Sequence, residues 1–125
     1  MSVAEPPHQG RDGYRPFGIS IAADGDETTI AVAGELDLAS AGRVDEEVRA
    51  VRGSGAARIV LDLHEVDFID STGLRVLLSL RNDAVRSGYR LELVPPGRAA
   101  RRIFAITGTR GLFDWRLGAL DRRHE

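Results

Sequence analysis

Between Arg58 and Ser87 the hydrophobic pattern changes period within a few residues, and that change limits the possible folds more than any other feature. Residues 58–63 form a short run rich in Ile, Val and Leu, the pattern of a central strand buried on both faces. Residues 64–69 read as a connector that carries Val66, Phe68 and Ile69 inward. Apolar residues then recur at spacings of three and four. Leu74, Leu77, Leu78, Arg81 and Val85 trace one side, and Val76 and Leu80 widen it, which predicts a helix over 72–87 stopped by Gly88. A buried strand feeding an amphipathic helix is half of an α/β crossover.

The flanking segments fit that scheme. Phe17, Ile19 and Ile21 alternate with small or polar residues, Asp24, Gly25, Asp26 and Glu27 make a turn, and Ile30 and Val32 share a face of a strand over 28–33. Two alternating runs around a short turn predict an N-terminal β-hairpin. Ala41, Val44, Val48 and Val51 make one stripe of a helix over 40–52, with Ser40 as its N-cap and Gly53, Ser54 and Gly55 at its end. Leu91, Leu93 and Val94 form a further strand, broken by Pro95, Pro96 and Gly97. A third helix over 98–107, with Ile103, Phe104 and Ile106 inward, and a short strand over 114–117 follow. The expected architecture is a single α/β domain over 17–117 with a mixed sheet. Residues 1–16, rich in Pro and Gly, read as a disordered lead-in, and 118–125 as a tail.

Composition excludes several functions. The net charge is −2, with no one-sided basic stripe to track a nucleic-acid backbone. No stretch approaches the ~20 apolar residues of a membrane span, and the first 16 residues have no apolar run that would serve as a signal or anchor. A cytoplasmic protein is expected. There is no Cys, and His8, His64 and His124 are scattered, so no metal or cofactor is expected. All 17 basic residues are Arg, which removes any mechanism that needs a lysine amine.

The chemistry concentrates in Asp67-Phe68-Ile69-Asp70-Ser71-Thr72-Gly73-Leu74. If a helix begins here, its first amide N–H groups lack partners, and Asp70 or Ser71 can accept one. Capping accounts for the acid and the hydroxyl but not for Gly73, which costs backbone entropy in a first turn. Gly73 is read instead as clearing the way for a phosphoryl donor to reach Ser71. A phosphate there would meet the positive end of the helix and the negative charge of Asp70. Asp37, just before the first helix, could share that surface, whereas Glu35 reads as a solvated turn residue. Asp62, inside an apolar strand, reads as an acceptor of backbone N–H bonds, and Trp115 as a lid on the core.

The segments Gly34-Glu35-Leu36-Asp37, Ile59-Val60-Leu61-Asp62-Leu63 and Asp67 to Leu74, at these spacings, resemble the STAS domain family, and within it the bacterial anti-sigma factor antagonists. The resemblance runs from about Phe17 to Leu117. It implies a small mixed sheet with helices packed mainly on one side. It also implies a non-enzymatic role: binding an anti-sigma factor that is itself a serine kinase of the histidine-kinase-like ATPase type, thereby freeing a sigma factor. The kinase would phosphorylate Ser71 and release the complex, and a PP2C-type phosphatase would reset it. Asp37, Asp70, Ser71, Thr72, Gly73 and Leu74 would form the partner-binding surface. Two alternatives accompany this reading: a non-switching STAS subunit of a larger regulatory or lipid-transport assembly, and a phosphoaspartate receiver built on Asp62 and Asp67.

Overall fold

A computed structural model describes residues 15–117. Its elements are β1 (Gly18–Asp24), β2 (Glu27–Leu36), α1 (Ala41–Gly53), β3 (Arg58–Ile69), α2 (Ser71–Ser87), β4 (Arg90–Val94), α3 (Arg98–Thr107) and a single 3-10 turn, Arg110–Leu112. The strands form one sheet in the order β1-β2-β3-β4. The first pair is antiparallel, the expected hairpin, and the other two pairs are parallel. The crossovers β2-α1-β3 and β3-α2-β4 step the same way across the sheet. They place α1 and α2 together on one face, packed against each other. The mixed sheet and the placement of the helices agree with expectation.

The core lies between that face and the helices. Ile30, Val32 and Leu36 of β2, Ile59, Leu61 and Leu63 of β3, and Leu93 of β4 meet Val44 and Val48 of α1 and Leu77 and Leu80 of α2, all essentially inaccessible to solvent. Each such side chain contributes about 1.5–3 kcal/mol by leaving water. Beyond β4, Phe104 of α3 makes edge-to-face contacts with Phe113 and Trp115, with ring centroids 5.5 and 5.1 Å apart. Trp115 is half-buried, and its indole N–H donates to the Arg110 carbonyl at 2.9 Å.

Four expectations need correction. Residues 64–69 are not a connector but the second half of β3. The β2–β3 pairing carries two register shifts, between Ala31 and Ala33 and between Gly34 and Glu35, where β3 has an extra residue each time. These bulges break the strand's alternation, so Val66 and Ile69 point inward while Phe68 is 42% exposed. On α2, Ala84 rather than Val85 faces the core, and Val85 is exposed; the apolar stripe is narrower than its residues suggest. On α3, Ile106 is exposed, because Ala100, Ile103 and Phe104 suffice to cover the surface beneath. The final strand reduces to one bridge between Leu93 and Trp115, preceded by the 3-10 turn. The lead-in and tail expectations lie outside the described residues except at Arg15 and Pro16. Arg15 is held there by Asp67, its backbone N–H at 3.0 Å and its guanidinium at 2.9 Å.

One polar cluster lies between the helices. Asp83 of α2 is buried, accepts the Tyr89 hydroxyl at 3.1 Å and faces Arg52 at 3.2 Å, Arg49 at 3.6 Å and Arg86 at 3.7 Å. The Arg52 Nε contact is an ion pair without hydrogen-bond alignment. Burial raises the Tyr89 pKa and the bond to Asp83 raises it further, to about 12.

Candidate functional site

The carboxyl ends of β2 and β3 lie side by side. Leu36 is in register with Ile69, and the Asp70 N–H donates to the Leu36 carbonyl at 3.2 Å. The next residues, Asp37 and Asp70, therefore leave the sheet as neighbours, and each opens the turn into a helix.

The Asp70 backbone is extended, with φ −99° and ψ −174°, and its Oδ1 accepts the Gly73 N–H at 2.9 Å. Asp70, not Ser71, is thus the N-cap of α2. Ser71 is the first helical residue, exposed, and its hydroxyl makes no hydrogen bond among the described residues. The cap bond is made by the Asp70 side chain, so capping does not engage the Ser71 hydroxyl. Thr72 beside it is half-buried.

Asp37 serves the other turn. Its Oδ1 accepts the N–H groups of Ala39 at 3.1 Å and Ser40 at 3.2 Å. Ser40 precedes α1 as expected, but its side chain does not cap that helix. Its hydroxyl donates to the Glu35 carbonyl at 2.6 Å and accepts the Asp37 N–H at 3.0 Å. The loop is braced by these bonds, which engage one carboxylate oxygen of the half-buried Asp37.

Gly73 does not clear space for an incoming molecule. It is buried, and a Cβ added to it would lie 3.0 Å from both the carbonyl carbon and the Cγ of Leu36, and nearer still to the carbonyl oxygen. The glycine is required because the start of α2 packs directly on the end of β2. Leu74 is likewise in the core, 6% exposed. These two residues support the surface from beneath, and of the expected partner-facing set Asp37, Asp70, Ser71 and Thr72 remain at or near it.

Two apolar side chains join them. Leu38, between Asp37 and Ala39, is 79% exposed, and Phe68 faces water two residues before Asp70. Single exposed apolar residues are ordinary. Here two of them lie within two residues of the acid pair at the carboxyl ends of the two central strands. Phe68 was hidden in the sequence by the bulges. Leu38 had a signal: it falls between a strand end and a helix start, where neither periodicity gives it a buried side.

Other candidate groups lie outside this arrangement. Asp62 accepts the His64 N–H at 3.0 Å and meets its ring nitrogen at 2.8 Å, the structural role expected for it. Asp67 is paired with Arg15. Among the described residues no three His, Asp or Glu side chains are grouped to hold a metal, and no helix is long and apolar enough to cross a membrane.

The family model for the Mlab-type STAS domain matches residues 19–114, nearly the whole described structure. The chain belongs to the STAS domain family. The anti-sigma-F factor antagonist RsfB of Mycobacterium tuberculosis is 24% identical to this STAS domain over 90 residues, spanning 72% of this chain and 73% of RsfB. Among solved structures, an anti-sigma factor antagonist from Mycobacterium paratuberculosis superposes with a TM-score of 0.70 at 24% identity, covering 80% of this chain and 85% of that one. The Bacillus protein SpoIIAA, solved in a phosphorylated form, superposes with a TM-score of 0.60 at 21% identity, covering 86% and 98%. These structural likenesses establish the fold.

Proposed function

We propose that this STAS domain is an anti-sigma factor antagonist whose binding face is switched by phosphorylation of Ser71. The observation that carries the reading is Ser71 itself: exposed, without a side-chain hydrogen bond among the described residues, and set at the first turn of a helix capped by its neighbour. It is a binding protein rather than an enzyme, acting in the cytoplasm. Its partner is an anti-sigma factor that doubles as a serine kinase, with a PP2C-type phosphatase restoring the free hydroxyl. Unmodified, the face of Asp37, Leu38, Phe68, Asp70, Ser71 and Thr72 engages that partner and frees a sigma factor.

Magnitudes favour a switch of binding rather than of fold. A phosphoserine carries about −1.5 to −2 charges. Repulsion from a carboxylate about 5 Å away at an effective dielectric of ~20 is roughly 3 kcal/mol per pair of unit charges. The helix N-terminus returns about 0.3–2 kcal/mol. The balance lies below a typical domain stability of about 5–15 kcal/mol. It exceeds the ~1.4 kcal/mol that changes affinity tenfold.

The paired variants Ser71→Ala and Ser71→Asp test the reading against the cognate anti-sigma factor by calorimetry. Ser71→Ala should bind as the native chain does and resist release by ATP. Ser71→Asp should bind at least about tenfold more weakly, with a melting temperature within a few degrees of native. Equal binding by Ser71→Asp would refute the charge switch. Leu38→Glu should also weaken binding about tenfold or more, without lowering the melting temperature, since its side chain is already in water. If Leu38→Glu binds normally, Leu38 is not part of the contact face.

A further inference from the structure

Arg75 lies four residues after Ser71 on α2, and both are exposed. Residues so spaced have Cβ atoms about 5–6 Å apart. Helical side chains lean toward the N-terminus, so Arg75 leans over the turn that carries Ser71. Its other neighbours at three and four positions are Thr72, Leu78 and Ser79, none of them acidic. Among the described residues Arg75 has no ion pair and no side-chain hydrogen bond.

The surrounding arginines are occupied. Arg49 pairs with Asp45 at 3.0 Å, Arg52 and Arg86 with Asp83, and Arg81 donates to the Leu112 carbonyl at 3.0 Å. Arg43 lies over the Phe17 ring. Among the described residues, a guanidinium without a counter-ion stands one turn from a hydroxyl without a hydrogen bond.

We propose that Arg75 is the internal counter-ion of a phosphate on Ser71, clamping it along the first turn of α2. The proposal rests on the reading of Ser71 as the modified hydroxyl. It assigns Arg75 a role in each state. In the unmodified protein Arg75 presents a free cation to the partner beside Ser71. In the phosphorylated protein that cation is consumed by a charge-assisted pair, and the face keeps only the excess negative charge. Modification thus removes an attractive group while adding a repulsive one.

The test uses full-length protein carrying phosphoserine at position 71 installed during translation, so no kinase is involved. The phosphate is titrated by phosphorus NMR. Asp37, Asp70 and the Arg15–Asp67 pair act on the phosphate in every variant, so the informative quantity is the difference between variants. Arg75→Gln should raise the proton affinity of the phosphate about threefold or more, as loss of a charge-assisted partner requires, and the difference should shrink at 1 M salt, about the ionic strength at which exposed charges are screened. Arg101→Gln, the same charge change on α3, should leave the titration unaltered. Equal titration in native and Arg75→Gln protein overturns the clamp. An equal shift from Arg101→Gln also overturns it, because a general field effect would then suffice. Failure of a cognate kinase to modify Ser71 refutes the switch reading instead, and leaves this titration as a separate result.

Discussion

Gly73→Ala is expected to lower the melting temperature by roughly 10–20 °C and to weaken partner binding with it. A helix interior normally gains about 1 kcal/mol from this change. Here the added methyl meets the backbone of Leu36, whose carbonyl also holds the Asp70 N–H. A flexible side chain could step aside, but that carbonyl cannot move without pushing β2 away from α2. Overpacking of this kind costs about 1–3 kcal/mol, and a backbone clash belongs at the upper end. Because Asp37 and Asp70 leave the sheet at this contact, their spacing changes with it. Thermal melts beside binding isotherms check both consequences. A melting temperature that rises would show that α2 does not sit on Leu36.

Asp83→Ala is expected to cost about 3 kcal/mol at pH 7, far from the site and without a direct effect on binding. Removing the buried carboxylate leaves the Tyr89 hydroxyl and the Arg52 guanidinium without their shared partner. The figure is taken at the low end for a buried pair because the Arg49 and Arg52 side chains are about a third exposed. The pH dependence has a definite sign. Burial pushes the Asp83 carboxyl up, but the Tyr89 hydroxyl and then Arg52 and Arg49 pull it down further, so it ends below the usual carboxylate range. A depressed folded-state pKa stabilises above the unfolded value near 4 and stops doing so as pH falls through the folded value. Urea titrations should therefore show the gap between native and Asp83→Ala protein closing in acid. Tyr89 acts at the other extreme. Its raised pKa holds the ring neutral, and the stability this confers fades as pH rises from about 10, the unfolded value, to about 12.

Much of this was legible in the sequence for physical reasons. The alternation of Ile30 and Val32, the three-and-four spacing of Val44, Val48, Leu77 and Leu80, and the glycines after each helix state local periodicity directly. The hydroxyl at Ser71 and the acids at Asp37 and Asp70 were visible as residue types. Their juxtaposition followed only from the parallel register of Leu36 with Ile69, which no local pattern encodes. The bulges in β3 defeated the alternation rule at Phe68, since an extra unpaired residue leaves no mark in composition. Gly73 was noticed for the wrong reason: the sequence shows that a side chain is forbidden, not whether a ligand or Leu36 forbids it. Capping was ambiguous between Asp70 and Ser71 because either residue type can cap, and the geometry chooses Asp70.

On the proposed function, Ser71 is a phosphate acceptor whose modification releases a partner. The most direct measurement mixes the chain with its cognate anti-sigma kinase and ATP, follows phosphate incorporation by intact-mass spectrometry, locates it by fragmentation, and follows the complex by size-exclusion chromatography. One phosphate is expected, on Ser71, with dissociation of the complex in step with its appearance, and neither event in Ser71→Ala protein. A complex that stays whole with Ser71 fully phosphorylated, or no phosphate on Ser71 at all, would contradict it and leave the non-switching STAS subunit as the reading that stands.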